Sequence, residues 1–346
     1  MPETAFDIAI LGSSPLSGLL AGVLVRDHHK RVIRIGRRAS PQRLPRTLGL
    51  ALPLATRPQN WRLTREAEAE TSALLAAIGA PAAITTNDVV VIADTAASSA
   101  AMGHAAHMAL GFGLVVRPRD GGWTFRGVAV LQPAALDDKL FAWLTNLGVT
   151  SVDNADAELR YLKSGVAELW LPDGRVDAPQ IVLADDAALL DHLPEAQRPA
   201  TLLPRSMTAT LTASRRLAAP VMLFPDRGVT LVQRDATTVL ALVSGDRDVE
   251  ARLATALPGP FPVQRLATSR FRRIVSTDGA PLIGRLKPSK LFVVAGLQSA
   301  AFFAPALARL LAGETRADDK RWFLSHDPAR VATRESVADL AAEAFA

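Results

Sequence analysis

Gly12-Ser13-Ser14-Pro15-Leu16-Ser17 separates an apolar run from an apolar, small-residue stretch, the setting of a phosphate-binding turn. A dinucleotide fingerprint reads G-x-G-x-x-G. The first glycine makes the turn, the second lets backbone approach a pyrophosphate, and the third lets the helix pack close to the strand. Gly12 fills the first place, while Ser14 and Ser17 stand in the second and third. Backbone N–H groups at the start of the helix can still hold an anion, although a Cβ at position 14 crowds a pyrophosphate. The acid that would bind ribose hydroxyls is also missing: Gly36 stands there, followed by Arg37 and Arg38. Arginine at that place points to a 2′-phosphate and hence NADP. Taken alone, the segment supports a nucleotide site at residues 12–17 with Arg37 and Arg38, or a plain structural strand–helix–strand unit.

Other reactive constellations are sparse. The 346-residue chain has no Cys, which removes thiol nucleophiles, disulfides and Cys-ligated metals. His104 and His107 share a helical spacing but have no third ligand nearby, so no metal site is expected. No Ser-His-Asp arrangement stands out. Tyr161 is the single tyrosine and reads as structural. Of 39 basic residues 33 are Arg, densest at Arg26, Lys30, Arg31, Arg34, Arg37, Arg38, Arg43 and Arg46. Such a run is a solvated face, or a contact for phosphates or an acidic partner protein. It lacks the aromatic interleaving of a nucleic-acid surface, so no nucleic acid is expected.

The elements that must position these residues follow from pattern. Residues 6–11 (FDIAIL) read as a buried strand, 16–25 as a helix and 31–35 as a second strand, the entry to a dinucleotide-type domain. Near the other end, a turn-rich segment (STDGAPLIG, 276–284) precedes a strand at 291–295. Gly296 and a small-residue loop follow, Leu297, Gln298, Ser299, Ala300, Ala301 and Phe302, then a helix from about 305 to 311. This is a second strand–loop–helix unit whose loop can approach a ligand closely. Residues 64–78 are helix-prone, and 95–110 form helix or loop. Short strands at 221–223, 229–233 and 239–243 suggest an antiparallel sheet.

The segment Ser276-Thr277-Asp278-Gly279-Ala280-Pro281-Leu282-Ile283-Gly284, the strand LFVVA, and Ala304-Pro305-Ala306-Leu307-Ala308 together resemble the C-terminal signature of FAD-dependent amine oxidoreductases of the D-amino-acid oxidase/glycine oxidase type. Gln132-Pro133-Ala134-Ala135-Leu136, the 171–176 hairpin leading to 181–184, and Asp327-Pro328-Ala329-Arg330 are similar to further landmarks of that family in the same order. The resemblance implies an α/β (α+β) fold. A Rossmann-like FAD/NAD(P)-binding domain, discontinuous over 1–85, 145–205 and 270–346, is interrupted by a mostly antiparallel sheet domain over 86–144 and 206–269 that covers the substrate. It further implies FAD as cofactor, with Gly284 and residues 296–302 under the flavin. Arg273, five residues before Asp278, is then the catalytic-site clamp for a substrate carboxylate. The residue after it is Ile274, where the family has Pro.

The departures cluster where FAD would lie. Ser14, Ser17 and Gly36 have been noted, and Ala184-Asp185-Asp186 stands where the family has A-T-G. Aspartates there set like charge beside a pyrophosphate unless arginines neutralise it. Two functions follow from different classes. One is an FAD-dependent oxidoreductase that oxidises a small amine or amino acid to an imine by hydride transfer. The other is a catalytically degenerate, flavoprotein-like accessory subunit with weakened or lost FAD binding that works by binding a partner protein. The enzyme is the leading expectation. With 49% apolar residues, a net charge of +5 and an acidic start (Glu3, Asp7), the chain is expected to be cytoplasmic, without a membrane span.

Overall fold

The computed structural model describes residues 5–37, 44–54, 58–257 and 264–331. Two sheets organise them. The first has six strands in the order Leu282–Arg285, Phe292–Ala295, Gln180–Leu183, Ile8–Leu11, Val32–Ile35 and Thr150–Val152. All neighbours are parallel except the first pair, which is antiparallel. A parallel sheet covered on both faces demands strands that are apolar throughout, and all four residues of Ile8–Leu11 are buried. Ile8 and Ile10 face a core shared with the helices Pro15–His28, Pro133–Asn146 and Ala304–Ala312. Ala9 and Leu11 face the opposite core, with Leu169, Leu189 and Leu190. That second core is closed by a three-stranded antiparallel sheet (Glu158–Tyr161, Ala167–Leu171, Gly174–Val176) and the short helix Asp186–His192.

The second sheet has nine strands. Its order is Arg265–Ser276, Leu202–Ala213, Thr238–Ser244, Val229–Gln233, Val221–Phe224, Ile84–Ile92, Gly122–Leu131 and Gly49–Leu50, and Val115–Arg119 also pairs with Gly122–Leu131. It is antiparallel except where Val221–Phe224 runs parallel to Ile84–Ile92. Helix Ala96–Gly111 buries Met102, Ala105 and Ala106 against one part of it. Leu253 of Val249–Ala256 packs on another part. The alanine-rich 95–110 stretch is therefore helix, capped at its start by the Thr95 side chain, which accepts from Ser98 N. The helix anticipated over 64–78 begins further back and spans Pro58–Ala77.

The TDG turn and the D-P-x-R segment, 52 residues apart, form one structural lock. Arg330 grips Asp278 with two parallel bonds, Nε to Oδ2 at 3.0 Å and Nη2 to Oδ1 at 2.8 Å. Nη2 also donates to the Ala280 carbonyl at 2.9 Å. Among the described residues no helix is long and apolar enough to cross a membrane.

Candidate active site

The Rossmann-like sheet brings the loop after Ile8–Leu11 beside the end of Gln180–Leu183, because these strands are parallel neighbours in register. Helix Pro15–His28 starts there with Pro15, and no acid, in its first turn. Its unsatisfied N–H groups and dipole require an anion. Asp185 supplies it from 172 residues away: its Oδ2 accepts from Ser13 N at 2.9 Å and Ser14 N at 3.0 Å. Its Oδ1 accepts from Ala188 N at 2.8 Å and so caps the next helix as well.

The rest of the loop is tied down internally. Ser17 Oγ donates to the carbonyls of Gly12 (2.9 Å) and Ser14 (2.8 Å). Arg34 Nε donates to Ser17 Oγ at 3.2 Å, and Arg37 N donates to Ser13 Oγ at 3.0 Å. Burial lowers the pKa of the Arg34 guanidinium, while Asp185 and Asp137 oppose that shift. A Cβ at Gly36 would sit 1.9 Å from the Gly12 carbonyl oxygen, which is why the ribose-binding acid has no place there.

A cleft of about 260 Å³ runs from this loop to the antiparallel sheet. One wall is Ser13 to Leu16 with Ala184 to Ala187; another is Leu297 to Ala301; the far side carries Thr230, Arg234, Leu242 and Phe271 to Arg273, with the 44–50 segment alongside. Asp186 lies deeper. Its Oδ1 accepts from Gly296 N at 2.9 Å and its Oδ2 from Ile274 N at 3.0 Å, joining two strand ends. Burial raises the Asp186 carboxyl above its ordinary value, opposed only in part by Arg273 and those two amides. Burial likewise pulls the Arg273 guanidinium down, opposed by Asp186. Arg273 is only 9% exposed. The guanidinium of Arg46 lies 5.8 Å above the Phe271 ring.

The sequence-expected site residues thus divide. Ser13, Ser14, Pro15, Leu16, Arg37, Arg273 and residues 297–301 line the cleft. Gly12 and Ser17 lie behind it, shaping the loop. Gly296 holds Asp186 through its amide, in the left-handed region at φ 64°. Gly284 packs instead against the closing segment, where a Cβ would meet Pro328 at 2.7 Å. Phe302 is fully buried in the helical core. Arg38 lies outside the described residues. Ser299, at φ 55°, fastens the small-residue loop to the edge strand: its Oγ accepts from Leu50 N at 3.1 Å and donates to the Leu50 carbonyl.

Of the basic cluster, Arg26 pairs with Asp27 and Arg31 with Asp7, whereas Arg34 is turned inward and Arg46 faces the cleft. His104 and His107 are exposed. Tyr161 is structural in its contacts, its hydroxyl donating to the His192 carbonyl at 2.7 Å. Sequence reasoning named Arg34 and Arg46 only within the basic run offered as a phosphate or partner contact, and it did not single out Arg234 or Arg272. It placed Asp185 near the expected phosphate turn without seeing that its carboxylate takes the Ser13 and Ser14 amides. The absence of acid in the helix's first turn was the available signal.

No family model matches the chain, and no curated protein matches it by sequence. Solved structures do match. Glycine oxidase from Geobacillus kaustophilus superposes with a TM-score of 0.68 at 15% identity, over 99% of this chain and 98% of that one. L-proline dehydrogenase from P. horikoshii gives 0.72 at 12% identity, over 95% and 98%. Iminodiacetate oxidase from Chelativorans sp. BNC1 gives 0.64 at 19% identity, over 94% and 96%. Over nearly its whole length, then, the chain shares its Rossmann-like α/β fold with these solved structures.

Proposed function

We propose that the chain is an oxidoreductase that takes FAD along the cleft and oxidises a small amine or amino acid to an imine. The observation that carries this reading is the continuity of the cleft, from a helix N-terminus, past a loop of small residues, to an arginine-bearing antiparallel sheet. FAD, when bound, would supply the hydride acceptor for the substrate α-C–H.

The chain's residues suit this at one end and contest it at the other. Ala300 and Ala301 keep the loop wall low, and Ser299 holds it against Leu50. A substrate carboxylate suits the sheet side, where Arg46, Arg234, Arg272 and Arg273 line the space and an arginine fork can pair bidentately. At the phosphate end, Ser13 N and Ser14 N are the donors for a diphosphate, and Asp185 holds both.

That occupied cradle bears on the alternative, a degenerate subunit that works by binding a partner protein, only through the weakened FAD binding it would entail. The visible absorption spectrum of the freshly purified protein separates the two, with mass spectrometry of what an acid quench releases. A flavin near one equivalent supports the oxidoreductase and justifies an amine-substrate screen. A protein that stays colourless after incubation with FAD refutes it and leaves the subunit.

A further inference from the structure

We propose that Asp185 is an intramolecular occupant of the dinucleotide phosphate cradle, so that a dinucleotide's diphosphate binds only by displacing it. This rests on the reading that the cleft takes FAD.

The case is geometric. A phosphate at this turn needs the amides at the head of helix Pro15–His28, and one oxygen, Asp185 Oδ2, accepts from both Ser13 N and Ser14 N. The same oxygen lies 2.8 Å from where a Cβ on Gly12 would be, so the carboxylate packs directly on the turn that the first glycine of a fingerprint makes. The helix brings no first-turn acid to compete, so the carboxylate also satisfies its dipole. Ser14 Oγ, shielded from solvent, has no hydrogen-bond partner. Arg34, whose Nε donates to Ser17 Oγ at 3.2 Å and whose Nη2 donates to the Gly12 carbonyl at 3.4 Å, brings a positive charge to the same loop. The short helix Asp186–His192 fixes the backbone of Asp185, because Oδ1 caps it through Ala188 N. An arriving diphosphate therefore meets a carboxylate already holding the amides it needs, and like charges in a half-buried site repel.

Two substitutions separate charge from size. Ser and Asn both serve as helix N-caps, so Asp185→Ser and Asp185→Asn keep the bond to Ala188 N. Serine is too short to reach Ser13 and Ser14, whereas asparagine keeps the bulk and loses the charge. Binding of FAD, ADP and adenosine is measured by titration calorimetry on the full chain and both variants, with melting curves to confirm that each folds. FAD and ADP are expected to bind Asp185→Ser at least about tenfold more tightly than the parent, matching one charge-assisted hydrogen-bond set freed. Asp185→Asn should fall between them, and adenosine, which has no phosphate, should be unchanged.

Equal FAD and ADP affinity in parent and Asp185→Ser overturns the role given to Asp185 and leaves the flavin reading intact. Equal tightening of adenosine also overturns it, because the gain is then not at the phosphates. Failure of every folded variant to bind FAD or ADP overturns both.

Discussion

Replacing Arg330 by Met tests whether the closing segment is held by a buried ion pair. The side chains of Asp278 and Arg330 are 5% and 11% exposed, and the guanidinium meets the carboxylate with two bonds of 3.0 and 2.8 Å. Met keeps the apolar stem but leaves Asp278 with only Ala280 N at 3.2 Å and the Ser276 side chain. Breaking one partner of a buried pair costs about 3–5 kcal/mol; the residual bonds and the surface position of the turn put this case near 3 kcal/mol. For a chain of this length that corresponds to a fall in Tm of about 5 °C.

The pH dependence carries the sign. Burial alone would raise the Asp278 carboxyl, but the bonds from Arg330, Ser276 and Ala280 N outweigh it and hold the group below its ordinary value. A depressed carboxylate contributes stability that is present above the unfolded pKa of about 3.9 and is lost as pH falls through the folded value. In the variant, burial without the arginine lifts the carboxyl, so protonation relieves it early. The gap in urea-unfolding free energy between parent and Arg330→Met should be widest at neutral pH and shrink toward about pH 4. A gap below about 1 kcal/mol at neutral pH, or one that does not shrink in acid, would refute the buried-pair argument.

Two other outcomes are open to direct measurement. Burial pushes the phenol of Tyr161 up to about 12, and since it is the single tyrosine, ultraviolet titration of the folded protein reads it without assignment. A midpoint near the ordinary value of about 10 in protein still folded by circular dichroism would contradict its packing against His192. Gly36→Ala forces a Cβ to within 1.9 Å of the Gly12 carbonyl, which is backbone and already bound by Ser17. The cost should reach about 3 kcal/mol, the upper range for overpacking, and thermal stability within about 0.5 kcal/mol of the parent would mean that the loop yields freely.

The sequence by itself determined the elements and their class. Apolar runs, the glycine and proline punctuation and the small-residue helix are properties of contiguous residues, so the strand at Ile8–Leu11, the helix at Pro15–His28 and the strands at Val229–Gln233 and Thr238–Ser244 were legible in it. The resemblance to a flavin family was legible too, because its motifs are linear. What the motifs do was not. The TDG turn and the closing D-P-x-R read as separate landmarks, yet Asp278 and Arg330 are one ion pair. Gly284 and Phe302 sit within linear motifs assigned to the cofactor, yet one packs on Pro328 and the other in the helical core.

Gly36 read as a lost acid, and only the packed loop shows that Gly12 occupies the space. The deciding case is Asp185, which sequence places near a phosphate site as a repulsive charge. Strand order sets Gln180–Leu183 against Ile8–Leu11, and that juxtaposition gives the carboxylate two hydrogen bonds at a helix N-terminus. Local pattern is encoded within a few residues, but which charge meets which amide is settled only when parallel strands from distant parts of the chain end side by side.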